Sequence, residues 1–188
     1  MELKIKKSDL LNILKWPQGV VEKRGTMPIL SNILLDATSN LLSISATDLE
    51  ISVVAQGNAE VKNPGKAVVN ARNIFEIVKE APDEFVKLTK KPDHSVEVSS
   101  GKARFRVLGM NAEEFPNLPQ LASSEQIVLD AEDFEEMIQK TFYAASTDET
   151  RYTLNGLYLV KISRGDKNFF TSCCYRWSPS FFYRKRNR

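Results

Sequence analysis

Apolar and polar positions alternate along residues 1–6, where Leu3 and Ile5 are separated by Lys4 and Lys6, and this predicts an opening β-strand. The period then lengthens. Leu10, Leu11, Ile13 and Leu14 recur at helical spacing, which predicts a helix over 9–16 with Ser8 as its N-cap and Pro17 as its stop. A loop over 18–26 carries the charged tip Glu22-Lys23-Arg24-Gly25. Three strands are predicted after it, at 31–37, 40–46 and 49–56, the last with Ile51, Val53 and Ala55 alternating. A short strand at Val68-Val69 runs into Asn70, a second candidate cap. The helix 71–81 places Ile74, Phe75, Ile77 and Val78 on one face and Arg72, Glu76 and Lys79 elsewhere. Strands at 85–89, 96–99 and 103–108 follow, with Phe105 and Val107 alternating.

The run Phe115-Pro116-Asn117-Leu118-Pro119 and the polar Ser123-Ser124-Glu125 read as a linker. A second unit then starts with a strand at 126–129. Asp130 is the expected cap of a helix over 131–144, with Phe134, Met137, Ile138 and Phe142 facing inward. A loop at 146–151 leads to a strand at 156–162, and Phe169 and Phe170 begin another. The second unit repeats the first at an offset of 124 positions: Leu10, Ile13, Leu14, Leu30, Ile33 and Leu35 recur as Phe134, Met137, Ile138, Leu154, Leu157 and Leu159, and Asp9 as Asp133. A constant offset across helix, loop and strand marks a chain built from copies of one module. From Ser172 onward the composition shifts, with neither helical nor strand periodicity.

Charge changes the picture only once the tail is set aside. The 188 residues carry a net charge of +2, but residues 172–188 hold five basic residues and no acidic one. The remainder has 21 basic against 24 acidic residues, a net of −3, so a polyanion would have to meet a locally basic surface. No stretch approaches the roughly 20 apolar residues of a membrane span, and residues 1–6 lack the apolar core of a signal peptide, so a cytoplasmic location is expected. Catalytic chemistry finds no foothold. His94, the only histidine, falls in a predicted turn, and Ser146-Thr147-Asp148-Glu149 reads as a polar loop. Glycine phosphate loops, HExxH and GxSxG are absent. The adjacent Cys173 and Cys174 suit neither a zinc site nor an unstrained disulfide. No cofactor is expected.

Several stretches are similar to a known family. They are Arg24-Gly25-Thr26-Met27-Pro28-Ile29-Leu30, Thr47-Asp48-Leu49-Glu50, Ala71-Arg72 opening a helix, Glu114-Phe115-Pro116-Asn117-Leu118, and Thr150-Arg151-Tyr152-Thr153-Leu154-Asn155-Gly156. Their order and spacing from residue 1 to about 171 resemble the bacterial DNA polymerase III beta subunit, the sliding clamp of replication. The resemblance implies an α+β DNA-clamp (processivity) fold in repeats, with helices packed on antiparallel sheets. It implies an N-terminal domain over 1–120 and part of a central domain over 126–171. It also implies a non-catalytic subunit that encircles duplex DNA and tethers the polymerase. Arg24, Arg72, Arg151 and Tyr152 would contact DNA, and Leu154 would form one wall of a pocket for partner peptides. Lys7, Lys15, Lys79 and Lys140 are candidates for further phosphate contacts from helix faces. Asp148 and Thr153 depart from residues often found in the family, and an aspartate there would repel phosphate.

The implied partners are double-stranded DNA, the replicative polymerase, the clamp loader and a second subunit in a homodimeric ring. A chain ending at residue 188 is expected to be truncated and unable to close that ring. The family continues with Val-Ala-Thr-Asp-Gly-His-Arg-Leu where this chain has Cys173–Ser180. One codon choice for those residues, TGT TGC TAC CGA TGG TCA CCG TCT, encodes Val-Ala-Thr-Asp-Gly-His-Arg when read one base later. Residues 172–188 are therefore expected to be a frameshifted, non-native tail. The rival reading is an independent nucleic-acid- or protein-binding module that uses the basic tail as an arm.

Overall fold

The structure is a computed structural model that describes residues 1–21, 27–118, 129–148, 150, 155–164, 167–174 and 182–186. The chain divides into two compact units, Met1–Leu121 and Ala122–Arg188.

In the first unit, β1 (Glu2–Lys6) passes directly into α1 (Lys7–Lys15). The expected Ser8 cap does not form. Lys6 holds the cap position without a side-chain bond, the Lys7 N–H donates to the Glu84 carbonyl at 2.7 Å, and the Ser8 hydroxyl bonds its neighbour Asp9. The strand thus delivers the helix with its first donor already satisfied by a backbone carbonyl of the same unit. A 3₁₀ turn at Pro17–Gly19 follows, and a second at Pro28–Ser31 leads into β2 (Asn32–Thr38). Ser39 and Asn40, both at positive φ, form the two-residue turn to β3 (Leu41–Thr47). Primed turns of this kind match the twist of paired strands.

The Thr47-Asp48-Leu49-Glu50 segment builds the next turn from its own side chains. The Asp48 carboxylate accepts the Glu50 and Ile51 N–H groups at 3.0 and 2.6 Å, and Thr47 Oγ1 accepts from Leu49 and donates to the Ile51 carbonyl. Leu49 is held there at φ 79°, a conformation unusual for a branched residue. The chain continues through β4 (Ser52–Asn58), β5 (Glu60–Asn63) and β6 (Gly65–Asn70) to α2 (Ala71–Lys79), then β7 (Phe85–Lys90), β8 (Val96–Ser100), β9 (Ala103–Val107) and the short β10 (Gly109–Met110). Asn70 does cap α2, accepting from the Asn73 N–H at 3.1 Å. The sequence pattern missed β5 and β10, which are four and two residues long and carry no readable alternation.

These strands form two five-stranded antiparallel sheets, ordered β5-β1-β7-β8-β9 and β10-β6-β2-β3-β4. Register brings apolar partners opposite one another, Leu3 with Leu88, Ile5 with Val86, Ile33 with Val69 and Leu35 with Ile44. Those residues join Leu10, Leu14, Ile74 and Val78 in one continuous buried core. Helix α1 touches β1 of one sheet and β4 of the other, and α2 touches β6 and β9, so the helix pair spans both sheets. Phe115, expected in the linker, is buried and closes a third 3₁₀ turn, Ala112–Glu114, so it belongs to the first unit.

In the second unit, Asp130 caps α3 (Ala131–Phe142) by accepting the Glu132 and Asp133 N–H groups. Met137 and Thr141 are buried and Phe134 and Ile138 half-buried, but Phe142 is 62% exposed, contrary to the expected inward face. Thr141 takes the inward position instead, its hydroxyl satisfied by the Met137 carbonyl at 2.7 Å. The sheet of this unit runs β11 (Leu157–Arg164), β12 (Lys167–Cys174) and β13 (Phe182–Arg186), all antiparallel. The sequence pattern stopped at Phe169-Phe170. In the structure β12 continues to Cys174, and Phe182–Arg186 pairs with 169–173. The strand predicted at 126–129 falls outside the described residues except Leu129, which is not in a strand.

Candidate nucleic-acid interface

Helices α1 and α2 lie antiparallel, and side chains tie them at both ends. Near one end Lys7 Nζ donates to the Ala81 carbonyl at 2.7 Å. Near the other, Gln18 Nε2 donates to the Ala71 carbonyl at 2.9 Å and reaches the Leu14 carbonyl at 3.4 Å. With Leu10, Ile13, Leu14, Ala71, Ile74 and Val78 turned into the core, the opposite faces are left outward. They present Ser8, Asn12 and Lys15 from α1, the adjoining Trp16, and Arg72, Asn73, Glu76 and Lys79 from α2, all exposed.

The cations of the first unit are divided between the sheets and this face. On and beside the sheets, Lys6 pairs with Glu84, Lys62 and Lys87 with Glu2, Lys66 with Asp36, Lys91 with Glu97, and Arg106 with Asp93. Lys4 stands 4.5 Å over the Phe85 ring, and Lys90 bonds the Lys66 carbonyl. The Lys87 ammonium holds the Glu2 carboxyl below its ordinary range, and the Ser95 hydroxyl followed by the Arg106 guanidinium does the same for Asp93. Exposed pairs of this kind add little stability, but they neutralise charge locally. Lys15, Arg72 and Lys79 have no ion pair or hydrogen bond among the described residues, and on the sheets the same holds of Lys102 and Arg104 near the β8–β9 turn. Arg72 also stands in the first turn of α2, where no acidic residue accompanies it. The positive end of a helix dipole disfavours a cation there by roughly 0.3–1 kcal/mol, so its placement is not explained by helix stability.

Of the expected DNA contacts, Arg72 is the one the structure describes, and it is exposed. Arg24, Arg151, Tyr152 and Leu154 lie outside the described residues. Two of the candidate lysines are otherwise engaged. Lys7 is half-buried and bound to Ala81, and Lys140 pairs with Glu136 one helical turn away at 2.6 Å. Lys15 and Lys79 stay on the outward face. Asp148 spends its carboxylate on its own loop, accepting the Thr150 hydroxyl at 2.6 Å and the Thr150 N–H at 3.0 Å, which keeps its carboxyl below its ordinary value. It therefore remains an anion in the loop that was expected to approach phosphate. His94 is exposed on a tight turn at φ 65°, and no group of three or more potential metal ligands occurs among the described residues. Sequence reasoning missed Gln18, whose role needs the three-dimensional neighbour Ala71, and the exposure of Trp16, although Trp16 follows Asn12 by four residues on a polar stripe.

Paired antiparallel sheets spanned by two helices define a DNA-clamp fold. Residues 1–119 match the family described as DNA polymerase III beta subunit, N-terminal domain, and the chain belongs to that family. The Beta sliding clamp of Caulobacter vibrioides (strain NA1000 / CB15N) is 40% identical over 167 residues, which cover 88% of this chain and 45% of the relative. That of Chlamydia muridarum (strain MoPn / Nigg) is 31% identical over 165 residues, again 88% of this chain and 45% of the relative. Among solved structures, Caulobacter crescentus pol III beta superposes with a TM-score of 0.85 at 38% identity, covering 92% of this chain and 47% of that one. The beta subunit of Thermotoga maritima gives a TM-score of 0.78 at 30% identity, with coverage of 91% and 46%. The chain thus spans about half the length of the relatives it matches.

Proposed function

We propose that this chain acts as part of a bacterial sliding clamp, a non-catalytic processivity subunit whose helix faces meet duplex DNA without reading its sequence. The observation that carries this reading is the division of cations, with those of the sheets largely paired and Lys15, Arg72 and Lys79 left unpaired on the helices. A protein that slides must hold phosphates and ignore bases, because a base-specific contact would stop it at one site. Arginine suits the task through its planar fork, and Arg24, Arg151 and Tyr152 join Arg72 as proposed contacts. Leu154 is proposed as one wall of a pocket for partner peptides from the replicative polymerase and clamp loader. The outer edge of β9 is unpaired among the described residues and carries the exposed Phe105, with exposed Leu108 just beyond it, which supports a subunit contact there in a homodimeric ring.

Duplex affinity measured across salt concentrations tests the DNA contact. Arg72→Ala is expected to weaken binding equally for unrelated sequences and to reduce the salt slope by about 1, with Lys15→Ala and Lys79→Ala behaving alike. Lys66→Ala, which removes a cation already paired with Asp36, is expected to leave the slope unchanged. Equal effects from Lys66 and Arg72 would sink the assignment of the helix face.

A further inference from the structure

Trp16 is a large aromatic side chain that core packing does not explain. It ends α1 and is 68% exposed, and no hydrogen bond to its indole is found among the described residues. Its backbone is nevertheless fixed. The Trp16 carbonyl accepts from the Gly19 N–H at 3.3 Å, and the 3₁₀ turn that follows is bound through Gln18 to Ala71. That bond sets the turn bearing Trp16 beside the first turn of α2, where Arg72 lies, and Lys15 directly precedes Trp16. An exposed aromatic ring following one unpaired cation in sequence, on a turn bonded to the residue before another, has the parts that hold single-stranded nucleic acid, with the ring taking a base and the cations its phosphates.

We propose that Trp16, Lys15 and Arg72 form a stacking site for an unpaired DNA base, such as one in a single-stranded overhang at the end of a duplex. The proposal rests on the reading of the helix face as a DNA surface and extends it. Bases within a duplex are already stacked on their neighbours and offer no free face, whereas an unpaired base does. Charge complementarity selects this occupant, because Lys15 and Arg72, the charged residues next to Trp16 and to its Gln18–Ala71 anchor, are both cationic and have no ion pair among the described residues.

The test uses the full chain with Trp177→Phe, which leaves Trp16 as the only tryptophan of the two. Its fluorescence is titrated with an oligothymidylate, with an abasic deoxyribose-phosphate strand of equal length, and with duplexes bearing blunt or overhanging ends. Quenching is expected with the oligothymidylate and the overhang but not with the abasic strand or the blunt duplex. In a binding assay with labelled DNA, Trp16→Ala is expected to weaken oligothymidylate binding about tenfold relative to blunt duplex, and Trp16→Phe to restore most of it. Equal quenching by the abasic strand, or undiminished oligothymidylate binding by Trp16→Ala, would overturn the proposal. Blunt-duplex binding sensitive to Arg72→Ala but without any quenching by overhangs would refute stacking alone. Binding to no DNA at all would refute the underlying reading as well.

Discussion

Gly109 shows how one residue can be set by the backbones around it. A Cβ at that position would lie 2.1 Å from the His94 carbonyl oxygen and 2.7 Å from that of Val68. Neither oxygen can withdraw as a side chain could, since Val68 belongs to β6, paired with β10, and His94 is fixed in its turn. Gly109→Ala is therefore expected to destabilise the first unit by about 1–3 kcal/mol in chemical denaturation, and a midpoint unchanged from the parent would show that the approach is not close in solution. Asp93 offers a prediction in pH. Its carboxyl is lowered from 3.8, first by the Ser95 hydroxyl and then by Arg106. A carboxyl lowered in the folded state contributes stability that is present above its unfolded value and is lost as pH falls through the folded one. The Asp93 carboxyl signal in NMR is expected to titrate below 3.8 in the parent and to move up toward it in Ser95→Ala. Coincident titrations in the two proteins would exclude the Ser95 hydroxyl as the main cause.

The helices show which features of an element local sequence can specify. Asn70 and Asp130 were legible as caps because a side-chain acceptor preceding an apolar period has a local partner two or three residues on. Asn70→Ala is expected to cost about 1 kcal/mol, measured by thermal unfolding, and the absence of any shift would mean that α2 is held by tertiary packing alone. Ser8 looked equally suitable, but the helix begins at Lys7, whose N–H is taken by the Glu84 carbonyl 77 residues away, so Ser8 lies inside the first turn and not at the cap. Phe142 failed for a related reason. The apolar period called it inward, yet Thr141 could be buried once its hydroxyl found the Met137 carbonyl, so an aromatic ring was not needed there. The candidate site was legible in residue type and not in arrangement. Lys140 has Glu136 four residues before it, a pairing visible in sequence, whereas only the fold separates Lys7, bound to the Ala81 carbonyl, from Lys15 and Lys79.

At the scale of the whole molecule, the chain matches about half the length of its relatives, and its last strand arises from residues the sequence pattern set aside. We propose that residues 172–188 derive from a one-base change of reading frame, although Phe182–Arg186 pairs along β12. Resequencing the gene tests this directly, because an intact frame that does not encode Val-Ala-Thr-Asp-Gly-His-Arg one base later would sink it. Light scattering on the 188-residue polypeptide and on a version ending at Thr171 is expected to show a monomeric or heterogeneous product in both cases. A defined dimer that depends on the tail would instead make β13 and its neighbours an interface and favour the rival reading of the tail as a binding arm.

The pairing of charges on the sheets has a kinetic consequence. Neutralised pairs project little field beyond a Debye length of about 8 Å at physiological salt, whereas the unpaired cations of α1 and α2 project theirs outward. A polyanion drifting toward the first unit is thus expected to be turned toward the helix face before it touches. The first unit has a front and a back in solution, and adding salt should slow productive arrival on the front more than on the back, where Lys102 and Arg104 have no ion pair among the described residues.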